Sequence, residues 1–117
     1  MGGTNALRVA EAHPDRIAAV AGFHSGHLVT DAPDSPHLGV GTITGEVYLA
    51  HADQDHSIDA AQIAVLEAAL AAAGVKYTSE VYAGAHNGFT MSDAAVYDAG
   101  AEQRHWTSLF ALLERAF

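Results

Sequence analysis

Ile17-Ala18-Ala19-Val20-Ala21-Gly22-Phe23 is an unbroken apolar run, and Val47-Tyr48-Leu49-Ala50, entered through Glu46, is a second. A strand with one wet face alternates apolar and polar side chains. A strand covered on both faces need not. The two runs therefore predict a parallel sheet sandwiched between helices, and they exclude a hairpin-built sheet with one solvated face.

The rest of the chain fits that frame. Residues 4–12 read as a helix, with Leu7 and Ala10 at helical spacing, Thr4 or Asn5 as the cap and Pro14 as the stop. Residues 24–44 are rich in Gly, Pro, Asp, Ser and His and read as a long loop. Residues 59–73 read as a second helix. Asp59 and Gln62 form a capping box, Ile63, Leu66 and Leu70 form the apolar stripe, and Gly74 ends it. Residues 76–82 alternate enough to be a strand with a wetter face or an edge position. A last helix starts between Asp93 and Ala101 and runs to Ala116. Trp106, Leu109, Phe110, Leu113 and Phe117 fall on one face and read as its core contacts. Strands alternating with helices imply right-handed crossovers and an α/β fold of about three parallel strands with flanking helices. Three strands make a thin sheet for this class, and one apolar edge is left without a neighbour. Such an edge pairs with something, either a missing segment or a second copy.

Length and charge narrow the function. A chain of 117 residues suits a single domain spanning 1–117. It has no cysteine, which removes disulfides, thiolate metal sites and an internal cysteine nucleophile. A formal charge of −9 with only five Lys and Arg repels phosphate backbones, so no nucleic-acid partner is expected. No apolar stretch reaches the roughly 18 residues of a membrane span. No basic and apolar leader opens the sequence. A cytoplasmic location is the expectation.

Two residues carry the chemistry. Asp55 follows the strand-like run ending at Ala50, and His86 follows the one ending at Tyr82. In an open parallel sheet the loops at the carboxyl ends of strands gather on one rim. An Asp and then a His in those loops is the order of the acid and base of an α/β-hydrolase catalytic triad, whose nucleophile comes earlier in the chain. Gly84 and Gly88 flank His86 and permit a tight loop that presents the imidazole.

Four segments carry a family resemblance: Met1-Gly2-Gly3, Pro14-Asp15-Arg16-Ile17-Ala18-Ala19-Val20, His51-Ala52-Asp53-Gln54-Asp55-His56-Ser57-Ile58 and Tyr82-Ala83-Gly84-Ala85-His86-Asn87-Gly88-Phe89. Over essentially its whole length the chain resembles the C-terminal half of a dienelactone hydrolase-like protein. The Gly-Ala-His-x-Gly-Phe loop is the most specific of the four. The resemblance implies a partial α/β-hydrolase fold whose N-terminal half of the sheet is absent, with hydrolysis of an ester or lactone as the activity. It implies no cofactor. Asp55 becomes the triad acid and His86 the base, with Asp53 the fallback acid. The family's nucleophile elbow, Gly-x-Cys-x-Gly-Gly, puts the nucleophile one residue ahead of Met1. The oxyanion-hole amide then falls to Met1 itself. Ala52 and Asp59 depart from the family's usual Gly and Pro.

Other motifs compete. Gly22-Phe23-His24-Ser25-Gly26 follows a strand like a nucleophile elbow, but its spacing is wrong for Gly-x-Ser-x-Gly and a loop follows it, which disfavours a catalytic Ser25. Asp53-Gln54-Asp55-His56-Ser57-Ile58 opens like a calcium loop, yet Ile58 stands at the required glycine and Ala64 at the required Glu. His51, Asp53, Asp55 and His56, with His24 and His27, match no metal template, so no metal is expected. The expected partners are a small ester or lactone, if an N-terminal half completes the fold, and a second copy of the chain along the open edge. The alternative function is a non-catalytic, self-associating half-domain.

Overall fold

The computed structural model describes residues 1–117. Its elements run α1 (Gly2–Ala12), β1 (Ala19–Phe23), a 3₁₀ turn (Pro36–Thr42), β2 (Glu46–Gln54), α2 (Ala60–Ala72), β3 (Tyr77–His86) and α3 (Ala99–Ala116). The three strands form one parallel sheet in the order β1-β2-β3. Ala19 pairs with Glu46 at one end of the β1–β2 ladder, and Val47 pairs with Tyr77 across β2–β3.

β2 is the central strand, and its residues 47–52 are buried. Its side chains alternate between two cores. Val47 and Leu49 point into the larger one with Leu7, Leu28, Leu66 and Leu70, beneath α1 and α2. Tyr48, Ala50 and Ala52 point into the smaller one with Tyr82, Phe89 and Leu112, beneath α3. β3 is an edge strand and mostly half-buried or exposed, as its alternation predicted. β1 is the other edge. Only Val20 and Gly22 are buried there, and Ala19, Ala21 and Phe23 are half-covered. The unbroken apolar run of β1 is thus not matched by full cover on both faces: Val20 packs in the larger core, and Ala19, Ala21 and Phe23 on the α3 side stay half-covered.

Local chemistry accounts for the helix ends. Asp59 accepts from Gln62 N–H at 2.8 Å, and the Gln62 side chain accepts from Asp59 N–H at 2.9 Å, which is the complete capping box. Asp98 caps α3 by accepting from Ala101 N–H at 3.0 Å. α1 starts two residues earlier than the sequence indicates. Met1 stands at its N-cap, without the side-chain cap expected of Thr4 or Asn5. The Thr4 hydroxyl instead donates to Gly26 C=O at 2.9 Å, tying the helix start to the loop after β1.

The apolar stripe of α3 is the main departure. His105 and Leu112 are the buried residues of that helix, whereas Trp106, Phe110, Leu113 and Phe117 are exposed. Their periodicity is helical, but nothing within the chain covers them. No helix is long and apolar enough to cross a membrane.

Candidate active site

The site is built where β1, β2 and β3 end. The ladder carries Gln54 opposite His86, after an irregularity between Ala52 and Gln54. That pairing brings the loop after β2, which holds Asp55, alongside the loop after β3, which begins at His86. Gly84 and Gly88 both have positive φ, 75° and 93°, backbone that L side chains rarely adopt. They give the β3 exit its shape on either side of His86.

Asp55 is the most heavily bonded group on this rim. One carboxylate oxygen accepts from the Ser57 N–H at 2.8 Å and from the Ser57 hydroxyl. The other accepts from Asn87 Nδ2 at 2.9 Å. Burial pushes the Asp55 carboxyl upward. The bonds from Ser57 and Asn87, with His24 nearby, outweigh that and hold it below the ordinary carboxylate value. Asp55 is therefore an anion with fixed orientation, as an acid that aligns a histidine must be.

His86 lies exposed at the same rim. The contact between the two loops runs through its neighbour: Asn87, not the His86 ring, holds the second oxygen of Asp55. Asn87 Nδ2 also donates to His24 C=O at 3.0 Å. His24 stands at positive φ (42°), its Nε2 lies 2.8 Å from Thr90 Oγ1, and its ring packs edge-on against Phe89 at 4.9 Å. Phe89 is fully buried. One network thus joins the exits of all three strands. Asn87 and Thr90 went unrecognised as site residues, and His24 entered only as a metal candidate. The sequence signal for Asn87 was its place directly after His86 in the glycine-flanked loop.

The other candidates fall as follows. Asp53 is exposed and accepts from Gly84 N–H at 2.9 Å, so it braces the β3 exit. Met1 is exposed at the N-terminus of α1. Ser25 is buried with its hydroxyl unpartnered, packed against Gly3 in the first turn of α1. His51 is buried, with Nε2 3.0 Å from Ser79 Oγ and the carboxylates of Glu67 on α2 and Asp55 nearby. His27 and His56 line an open cavity of about 520 Å³ with Asp31, Ser57, Asp59 and Gln62. No group of three or more His, Asp or Glu side chains is arranged to hold a metal ion.

The model of the dienelactone hydrolase family matches residues 1–117. The chain belongs to the dienelactone hydrolase family. Several solved structures are similar to it. One, assigned as a dienelactone hydrolase from Klebsiella pneumoniae, is 19% identical with a TM-score of 0.84, and the match covers 94% of this chain and 47% of that one. Another, a dienelactone hydrolase-like promiscuous phosphotriesterase from metagenomic libraries, is 23% identical with a TM-score of 0.84, over 98% of this chain and 48% of that one. No curated protein sequence matches the chain. The fold is therefore a partial α/β-hydrolase fold, and the chain spans about half the length of the dienelactone hydrolase-like structures it matches.

Two histidines are expected to make the stability of this dienelactone hydrolase-family chain pH-dependent. Burial lowers His51 and His24 from the ordinary value of 6.5; nearby carboxylates, Glu67 and Asp55 for His51 and Asp55 for His24, only partly offset it. A histidine depressed in the folded state stabilises fully above its unfolded value. As pH falls below 6.5 the unfolded chain takes up protons that the folded chain refuses, and stability is lost. The thermal midpoint should fall as pH drops from about 7.5 to 5, and His51→Leu should flatten that slope. An unchanged slope in His51→Leu would assign the acid sensitivity to other groups.

Proposed function

We propose that the chain carries the acid and base of an ester or lactone hydrolase. In this reading Asp55 orients His86, and His86 takes the proton from a Cys or Ser supplied immediately ahead of Met1. The attacked carbonyl becomes a tetrahedral oxyanion, held in part by the Met1 backbone N–H. The proton on His86 then passes to the leaving oxygen, and water attacking the acyl intermediate by the same route releases the acid. No metal or other cofactor enters these steps. The substrate is a small carboxylic ester or lactone, and the cytoplasm is the compartment this reading assigns.

The observation that carries the reading is the bond from Asn87 to Asp55. It couples the acid's loop to the residue next to the base, at the carboxyl ends of two adjacent parallel strands. Membership of the dienelactone hydrolase family supports the reaction class. A second reading, a self-associating half-domain without activity, is favoured by the free edge of β1 and leads to a homodimer.

The purified 117-residue chain should hydrolyse an activated aryl ester no faster than buffer. Joined behind the N-terminal half of a dienelactone hydrolase-like protein, up to and including its nucleophile, it should acquire measurable turnover. If the chain alone is active and His86→Ala abolishes that activity, the nucleophile lies within it, and Ser25 is the first residue to replace.

A further inference from the structure

The exit of β3 carries two neighbouring polar side chains to the rim, and only the second of them reaches Asp55. Ala85 points into the smaller core with Tyr82 and Phe89. Successive side chains of a strand point to opposite faces, so His86 turns away from that core and lies exposed. The chain then reverses. Phe89 N–H donates to His86 C=O at 3.1 Å, which closes a turn over residues 86–89. Gly88 has the positive φ, 93°, that the third residue of a type II turn needs. Phe89, fully buried, pins the far end of the turn. Asn87 stands at its second position, and from there the Asn87 side chain spans to the loop of Asp55.

Asn87 is fully engaged as a donor. A side-chain amide has two N–H hydrogens. Asn87 Nδ2 donates to Asp55 Oδ2 at 2.9 Å and to His24 C=O at 3.0 Å, so it ties the acid to the exits of β1 and β3 at once. The other oxygen, Asp55 Oδ1, accepts from the N–H and the hydroxyl of Ser57. Of the roughly four acceptor sites of a carboxylate, the one left over lies on Oδ2, the oxygen that Asn87 holds. The N–H that meets this oxygen from the β3 exit comes from position 87. For the His86 ring to share it, the 86–89 turn must be remade, and the two Asn87 bonds go with it. Asn87 is exposed, so water can take over those bonds at little cost.

We infer that Asn87 is a latch on the acid: it occupies the seat from which this loop meets Asp55, and it holds His86 off the carboxylate until it swings out. Asp55 as acid and His86 as base rest on the reading proposed above; the latch adds what governs their pairing. An asparagine amide donates to the carboxylate but takes up no proton at neutral pH, so the latched site has an oriented acid and no base upon it. Asn87 touches no reacting atom in this arrangement. It is a positioning residue that acts through Asp55 and through the shape of the turn. A histidine in its place would meet Asp55 with the turn left as it is.

Proton NMR of the 117-residue chain tests the latch without turnover. A ring N–H held by a carboxylate is a charge-assisted bond, and its proton resonates at low field and exchanges slowly with water. In the unmodified chain His86 should give no such signal. Asn87→Ala should bring one in, and adding Asp55→Asn should remove it. In Asn87→His the introduced ring should give its own signal, and a further His86→Ala should leave that signal in place. A His86 signal already present in the unmodified chain and lost in Asp55→Asn would mean that the pair forms with Asn87 in position, and would overturn the inference. So would a folded Asn87→Ala chain in which no signal appears, or a folded Asn87→His chain whose introduced ring gives none. Should Asn87→Ala not fold, the unmodified chain and Asn87→His decide. In a protein completed by a nucleophile-bearing half, Asn87→Ala should raise ester turnover several-fold, and His86→Ala should cancel the gain. A fall in turnover with the fold intact would make Asn87 a brace of the acid and not a latch. If the signals behave as expected while every completed protein stays inert, the proposed reaction fails and the latch stands.

Discussion

Replacing His86 with alanine, in a chain completed by a nucleophile-bearing half, is expected to lower ester hydrolysis by about 10²–10⁴-fold, the usual contribution of a positioned general base. Asp55→Asn should cost as much or more, up to about 10⁴-fold. The amide cannot stabilise an imidazolium, and it presents the wrong partner to the ring. Asp53→Asn is the internal control. Asp53 accepts one bond, from Gly84 N–H, and an asparagine oxygen can accept the same bond. Its effect should be small. Asp55 is already bonded to Ser57 and Asn87, yet an ionised carboxylate has about four acceptor sites, so room remains for a histidine N–H. Circular dichroism of each variant separates loss of chemistry from loss of fold. If Asp53→Asn abolishes turnover and Asp55→Asn does not, the acid is Asp53, and the network at Asp55 only holds the loops together.

The architecture was legible in the sequence where a residue's surroundings lie within the chain. Val47 and Leu49 sit between helices, and the parallel sheet follows from their run. Asp59 and Gln62 meet within one helical turn, so their cap is a local fact. Legibility failed where an apolar pattern is not covered within the chain. Trp106, Phe110 and Leu113 have the period of a core-facing stripe, and the sequence pattern cannot tell which body supplies the core. The same holds for Ala19 and Ala21 of β1. At the site, order and strand-end placement pointed to Asp55 and His86. The bonds that join their loops were not readable, because His24, Asn87 and Thr90 meet only after three strand exits converge. Polar contacts between residues 32 to 66 positions apart leave no periodic trace.

Gly45→Ala is expected to be strongly destabilising. Gly45 lies just before β2, where the strand begins to run beside β1. A Cβ there would stand 2.6 Å from Ala18 O, 2.7 Å from Ala18 C and 2.7 Å from Ile17 O. All three are backbone atoms, so no side-chain rotation relieves the contact. The start of β2 would have to retreat from β1, and the first rung would go with it: Glu46 N–H donates to Ala18 C=O at 3.1 Å. Glu46 also anchors the last turn of α3, its carboxylate 2.9 Å from Arg115 and 3.5 Å from Lys76. Displacing it loosens the contact between helix and sheet. Overpacking against a rigid wall costs about 3 kcal/mol at the upper end of the usual range. For a chain of this size that is a fall of roughly 10 °C in the thermal midpoint. Gly41→Ala is the control, because a Cβ at Gly41 meets nothing within 4 Å. It should change the midpoint by no more than a degree or two, consistent with the roughly ±0.5 kcal/mol of a surface substitution. Equal midpoints for the two variants would mean that residues 17–18 give way as easily as a side chain does. The entry of β2 beside β1 would then be a soft joint rather than a rigid wall.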